Sequence, residues 1–155
     1  MTHLLNASKI NGILAKAAKN LGPVERAFQR KSKILDFQPG KLISSYKIDE
    51  NELNFKGQLS PGTLTSIVDS TTTILCMTGD ARLAGVSTKL SLTTLKPVEQ
   101  STTELRLEST FLQEQEKIAF LETRITSSDG AELFAIGQHT KYLHPRSRGM
   151  FPSAA

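Results

Sequence analysis

From Lys41 onward the apolar residues recur at every second position, and one segment, from Ser60 to about Thr78, replaces that rhythm with a helical one. Period two marks a strand with one face on a core, and i, i+3, i+4 spacing marks an amphipathic helix. Leu42, Ser44, Tyr46 and Ile48 alternate with Ile43, Ser45 and Lys47 as a first strand, and four more are predicted at about 84–95, 104–112, 117–126 and 132–143. Leu105, Leu107, Phe111, Leu133 and Ala135 mark the inward faces, and Ser127-Ser128-Asp129-Gly130 reads as a hairpin turn with glycine where positive φ is expected. Strand, helix, then a four-strand meander, with no βαβ alternation, predicts an α+β fold: an antiparallel sheet wrapped on one central helix. Such a sheet has a second face and edges to cover, which predicts self-association.

The helix starts with Ser60 at the N-cap and Pro61 at N1, where a missing N–H costs no intrahelical bond. Leu64, Ile67, Val68, Thr71 and Leu75 form one face, widened by Ile74 and Met77. Its many Ser and Thr residues lower helix propensity, so packing must hold it. Within this apolar segment Asp69 is a lone carboxylate. Asn54 and the turn Gly57-Gln58-Leu59-Ser60-Pro61-Gly62 precede it, and Ser87 follows on the next strand. An acid with polar partners from a turn and a strand fits a catalytic site. On the residues alone it fits better a carboxylate bonded to Thr65, Thr72 or Thr73 in its own helix, with Ser87 and Asn54 as ordinary strand and turn residues.

Ahead of the strands lies a basic arm, residues 1–36. Residues 1–35 hold seven Lys/Arg against Glu25 alone, leaving twelve basic and fourteen acidic residues in the rest. The overall charge of +4 therefore belongs to the arm, and the body has no basic bias toward nucleic acid. Ile10, Ile13, Leu14, Ala17, Ala18 and Leu21 form an apolar stripe, Asn6 or Ser8 is a cap, and Gly22-Pro23 ends the helix before a short second one over 24–31. This pattern resembles a mitochondrial presequence, and it also serves as a helix packed on the domain or on a partner, with a cytoplasmic location the alternative. The body runs over 37–144, and the Pro- and Arg-bearing tail, 145–155, is expected to be disordered. No run approaches the roughly 18 apolar residues of a membrane span. One cysteine, Cys76, excludes an internal disulfide and reads as a small core residue. His3, His139 and His144 lack metal-ligand spacing, and His139 reads as a satisfied strand histidine.

Residues 37–143 resemble the hotdog-fold acyl-CoA thioesterases of the phenylacetate-pathway type, and among them the small mitochondria-associated animal branch. The resemblance rests on Gln38-Pro39-Gly40-Lys41, Asn54, Gly57, Leu59, Gly62, Leu64-Thr65, Ile67-Val68-Asp69, Gly85-Val86-Ser87, Pro97, Ala119-Phe120 and Gly137-Gln138-His139-Thr140-Lys141. It implies hydrolysis of a medium- or long-chain acyl-CoA at a subunit interface, in a dimer or dimer of dimers, without a cofactor or metal. Asp69 would act as general base or nucleophile, and Asn54 and Ser87 would fix water or the carboxylate. The turn and Asn54 would come from one subunit and Asp69 from the other. The thioester oxygen would sit at the helix N-terminus.

The chain departs from the family at two places. Ser60-Pro61-Gly62 stands where the family has His-Gly-Gly, and proline has no N–H to donate to an oxyanion. Such a loss costs on the order of 3 kcal/mol of transition-state stabilisation, unless the Gly62 or Thr63 N–H substitutes. The hairpin near 112–117 carries Glu114 and Glu116 where the family tends to be basic, which leaves Lys96, Lys117 and Lys141 as candidate CoA-phosphate contacts. The alternative to an enzyme is therefore a catalytically impaired hotdog protein, a binding or assembly module of a larger mitochondrial complex. A hotdog dehydratase fits less well, because no histidine lies in the turn.

Overall fold

The computed structural model describes residues 5–79 and 83–147. His3, Asp80 at the expected end of the central helix, and residues 148–155 of the tail lie outside that range. The chain runs α1 (Ala7–Ala17), a 3-10 turn (Ala18–Asn20), α2 (Pro23–Lys31), β1 (Ser32–Gln38), β2 (Lys41–Lys47), a 3-10 turn (Glu50–Glu52) and α3 (Pro61–Met77). There follow β3 (Val86–Thr94), β4 (Glu104–Gln115), β5 (Ile118–Ser127) and β6 (Leu133–Tyr142). One sheet takes all six strands in the order β1-β2-β4-β5-β6-β3, antiparallel at every pairing, as the alternation predicts. Among the described residues no helix is long and apolar enough to cross a membrane.

Two features differ from the expectation. The meander holds only β4, β5 and β6, while β3 lies beyond β6 at the sheet edge. Periodicity identifies a strand without naming its neighbour. The second is β1, which runs across the 36/37 point where the arm was expected to meet the body. A register shift between Ile34 and Asp36 breaks its alternation: Ile34 is buried, and Leu35 and Asp36 are both exposed before Phe37 packs inward.

The central helix packs on the sheet with Leu64, Ile67, Val68, Thr71, Thr72 and Leu75 buried. Thr71 donates to the Ile67 carbonyl at 2.9 Å and Thr72 to the Val68 carbonyl at 2.7 Å, which satisfies their buried hydroxyl donors inside the helix. The approach is close enough to require glycine at position 137, where a Cβ would fall 2.4 Å from Val68 Cγ2. The Ser127–Gly130 turn forms as predicted, with Gly130 at φ 77° and Asp129 accepting from Ser127 Oγ at 2.6 Å and Ala131 N at 3.0 Å.

The basic arm folds back onto the body. Asn6 caps α1 by accepting from Lys9 N at 2.9 Å, and Ile10 and Leu14 are buried. Asn11 then pairs with the edge strand as a backbone would, its Nδ2 donating to the Ile34 carbonyl at 2.8 Å and its Oδ1 accepting from Ile34 N at 2.9 Å. This covers the β1 edge at its irregularity. In α2, Phe28 stacks on Tyr46 with ring centroids 5.8 Å apart. The Tyr46 hydroxyl donates to Glu52 Oε1 at 2.5 Å, and Lys31 Nζ meets the same oxygen at 3.1 Å. Asn11→Ala removes both Ile34 bonds and leaves the strand groups unpaired, a loss of about 2 kcal/mol. A lower urea midpoint checks it; an unchanged midpoint would mean that α1 docks by its apolar stripe alone.

Candidate active site

Asp69 lies two turns into α3, on the seam where the helix meets β6 and β3. Its side chain is 50% exposed, and Oδ1 lies 3.8 Å from Nε2 of His139, whose ring is fully buried. The same Nε2 is 2.8 Å from Ser87 Oγ, and His139 Nδ1 is 2.6 Å from Thr72 Oγ1. Asp69 and Ser87, predicted to work together, thus meet at one histidine. Ser87 gets there through a register shift: it pairs with Lys141 while Lys89 pairs with Thr140, and the extra residue, Thr88, turns Ser87 toward the helix side.

The network assigns the protons. Thr72 spends its hydroxyl hydrogen on the Val68 carbonyl, so it accepts from His139 Nδ1–H, and Nε2 is left to accept from the Ser87 hydroxyl. The neutral ring agrees with its surroundings. Burial, reinforced by the Lys141 ammonium and opposed by Asp69, brings the His139 pKa down to about 4. Ser87 Oγ keeps its lone pairs and Asp69 its carboxylate oxygens, two acceptors on one side of the seam. The threonines that offered Asp69 a purely structural role are engaged elsewhere: Thr65 donates to the Pro61 carbonyl, Thr72 to the Val68 carbonyl, and Thr73 accepts from Lys141.

Lys141 is only 2% exposed, and its Nζ donates to Thr73 Oγ1 at 2.7 Å. Burial lowers its pKa, with Cys76 and Asp69 acting the other way. Within this chain it supports the seam rather than offering a charge to a phosphate. Lys96 is exposed and paired with Glu132 at 2.8 Å, and Lys117 is exposed in the β4–β5 turn at φ 70°. The thiol of Cys76 is buried, and that burial pushes it up to about 11, so it is not a nucleophile at neutral pH. Among the described residues no three His, Cys, Asp or Glu side chains converge as a metal site.

The turn residues form a second locus. Ser60 caps α3 as predicted, its Oγ accepting from Thr63 N at 3.1 Å, while Leu64 N donates to the Ser60 carbonyl at 3.1 Å. Pro61 has no N–H and the Thr63 amide is taken, so Gly62 carries the amide of the first turn that has no acceptor among the described residues. Ser60, Gly62 and Thr63 line an open groove of about 500 Å³ against α2. Asn54 lies in a loop, its Oδ1 holding the amides of Lys56 at 2.9 Å and Gln58 at 3.1 Å, which leaves its NH₂ as the group it can still offer. It lines a different hollow with Gly57, Gln100 and Ser101. Asp69 lines a cavity of about 100 Å³ between α3 and the arm. Within one chain, then, Asp69 and Ser87 come together, and Asn54 and the Ser60–Gly62 turn stand apart from them.

Sequence reasoning passed over His139 as a catalytic-site residue. The signal was present: Ala135, Gly137, His139 and Lys141 occupy successive inward positions of β6, and two ionisable groups facing a core mark a site or a buried network.

A six-stranded antiparallel sheet around one long helix defines a hotdog protein, and its helix carries a half-exposed acid at the seam with the edge strand. No protein-family model matches the chain. Mouse acyl-coenzyme A thioesterase 13 is 30% identical over 105 residues, covering 68% of this chain and 74% of that protein. The chain belongs to this acyl-coenzyme A thioesterase family. In fold it matches the crystal structure of zebrafish thioesterase superfamily member 2, with a TM-score of 0.81 over 91% of this chain and 100% of that one at 24% identity. It also matches a hypothetical thioesterase of Streptococcus pneumoniae solved with coenzyme A, with a TM-score of 0.68 over 76% of this chain and 88% of that one at 18% identity.

His139 has a pKa of about 4 in the folded protein against an ordinary 6.5, so the unfolded chain takes up a proton that the folded one refuses. Its contribution is complete above pH 6.5 and is lost as the pH falls toward 4, on the order of 3 kcal/mol in all. Urea midpoints measured across that window should fall for the native chain and fall less for His139→Gln. Parallel profiles would show that the ring is not held neutral.

Proposed function

We propose that this protein hydrolyses medium- or long-chain acyl-CoA thioesters to a free acid and CoA, with Asp69 as the general base. The observation that carries the reading is the paired set of acceptors at the seam: Ser87 Oγ, held by His139 Nε2, and the Asp69 carboxylate, which α3 brings to 3.8 Å from the same nitrogen. A water donating one hydrogen to each has its lone pair directed away from both, toward a carbonyl carbon. Asp69 takes the proton as that bond forms, and the thioester oxygen gathers negative charge that needs donors. The thiolate of CoA leaves as the tetrahedral centre collapses.

Those donors come from a second copy of the chain. Gly62 and Asp69 are seven helical residues apart, roughly 10 Å along the axis, too far for both to touch one carbonyl. The Gly62 amide and the Asn54 NH₂ of one copy acting opposite Asp69 of another satisfy the geometry. β3 supports this arrangement, since it is an unpaired sheet edge carrying Ser87, where a second copy would lie beside the acid. A dimer, or a dimer of such dimers, is thus the catalytic unit. CoA phosphates would find Lys96 or Lys117, the exposed pair of the three candidates. The basic arm is consistent with a mitochondrial location.

The alternative, a binding or assembly module without turnover, draws on Pro61. It predicts a chain that binds acyl-CoA and releases no thiol. Against it, purified protein should release CoA from octanoyl- or palmitoyl-CoA in a thiol assay, and Asp69→Ala should reduce that release by about a thousandfold or more. Turnover that survives Asp69→Ala would remove the acid from the mechanism. Ser60→His combined with Pro61→Gly restores a second backbone donor and should raise kcat by about tenfold to a hundredfold. An unchanged kcat would mean that Gly62 and Asn54 already saturate the oxyanion.

A further inference from the structure

The arm does more than cover an edge. Its residues Leu14, Leu21 and Phe28 face Ile74 and Met77 of α3 across the cavity of about 100 Å³ that Asp69 also lines. The walls are held in place from both sides. On one, Asn11 bonds twice to the Ile34 backbone, and on the other Lys31 and Tyr46 share Glu52 Oε1. An apolar cavity beginning at the reacting acid and bounded by a fixed wall has the character of a substrate subsite.

We infer that the N-terminal arm forms the acyl-chain pocket of the same copy that supplies Asp69, and that Leu21, where the 3-10 turn passes into α2, sets how much chain fits. The inference rests on the hydrolase reading for its occupant. A dry cavity of about 150 Å³ takes a benzene, so this one takes about four carbons of an acyl chain before the chain must run out along the groove between α2 and α3. Glu25 and Gln29 of α2 complete the lining. The preferred substrate is a straight acyl group.

The test uses the full chain and two substitutions at one position, since opposite effects from a single site do not arise from a loss of folding. Leu21→Trp narrows the cavity and should lower kcat/KM for octanoyl-CoA relative to acetyl-CoA by about tenfold or more; Leu21→Ala should shift the preference toward longer chains. In parallel, calorimetry with the non-hydrolysable S-octyl-CoA and S-ethyl-CoA thioethers reads binding without turnover, and Leu21→Trp should weaken the octyl compound selectively. A chain-length preference unchanged to within about twofold in both variants, or equal binding of the two thioethers, would overturn the inference. Failure of the hydrolase reading looks different: no thiol release, yet selective weakening of S-octyl-CoA by Leu21→Trp.

Discussion

The close seating of α3 on β6 is the contact on which the rest depends. Gly137 has no Cβ, and Val68 occupies the space that one would take. That approach brings Thr72 within 2.6 Å of His139, closes the helix over Thr71, Thr123 and Ser109, and fixes where Asp69 emerges. A core held by hydroxyl pairs as well as by Leu and Ile is directional. It allows one rotation of the helix about its axis, and so one direction for its carboxylate.

From this seam follows the division of labour in the site. His139 is neutral and locked between Thr72 and Ser87, so it positions rather than exchanges protons near neutral pH. Lys141 sits beneath, buried and bonded to Thr73. In the proposed mechanism the acid and serine supply acceptors, and the donors lie two helical turns away at Gly62 or across the loop at Asn54. One chain thus holds two incomplete halves. Under that proposal the missing amide at Pro61 makes the donor half the weaker of the two, which is where a slower enzyme and a non-catalytic relative would differ.

Much of the fold was legible because it rests on rules that act locally. The Ser60-Pro61 helix start, the glycine at the Ser127–Gly130 turn and the inward Leu105 and Leu107 each follow from propensity or alternation. What was hidden depends on contacts between distant segments. β1 escaped because a shift near Ile34 breaks its period, and the partner of that irregular edge is a side chain, Asn11, from another element. Asp69 stood out as an acid in an apolar helix. Ser87 did not reveal its orientation, because the extra residue at Thr88 inverts the face it shows, and His139 looked structural until its two ring nitrogens were seen to join Thr72 and Ser87.

The central claim is that one carbonyl is worked on by the acid of one copy and the donors of another, and subunit mixing tests it directly. Asp69→Ala and Asn54→Ala chains, each impaired alone, are unfolded together and refolded, and thiol release is measured against each refolded singly. A dimer with composite sites gives a hybrid with one intact site, restoring about a quarter of the native rate on random pairing. A mixture as inactive as its parents, with hybrid dimers present, would contradict the account.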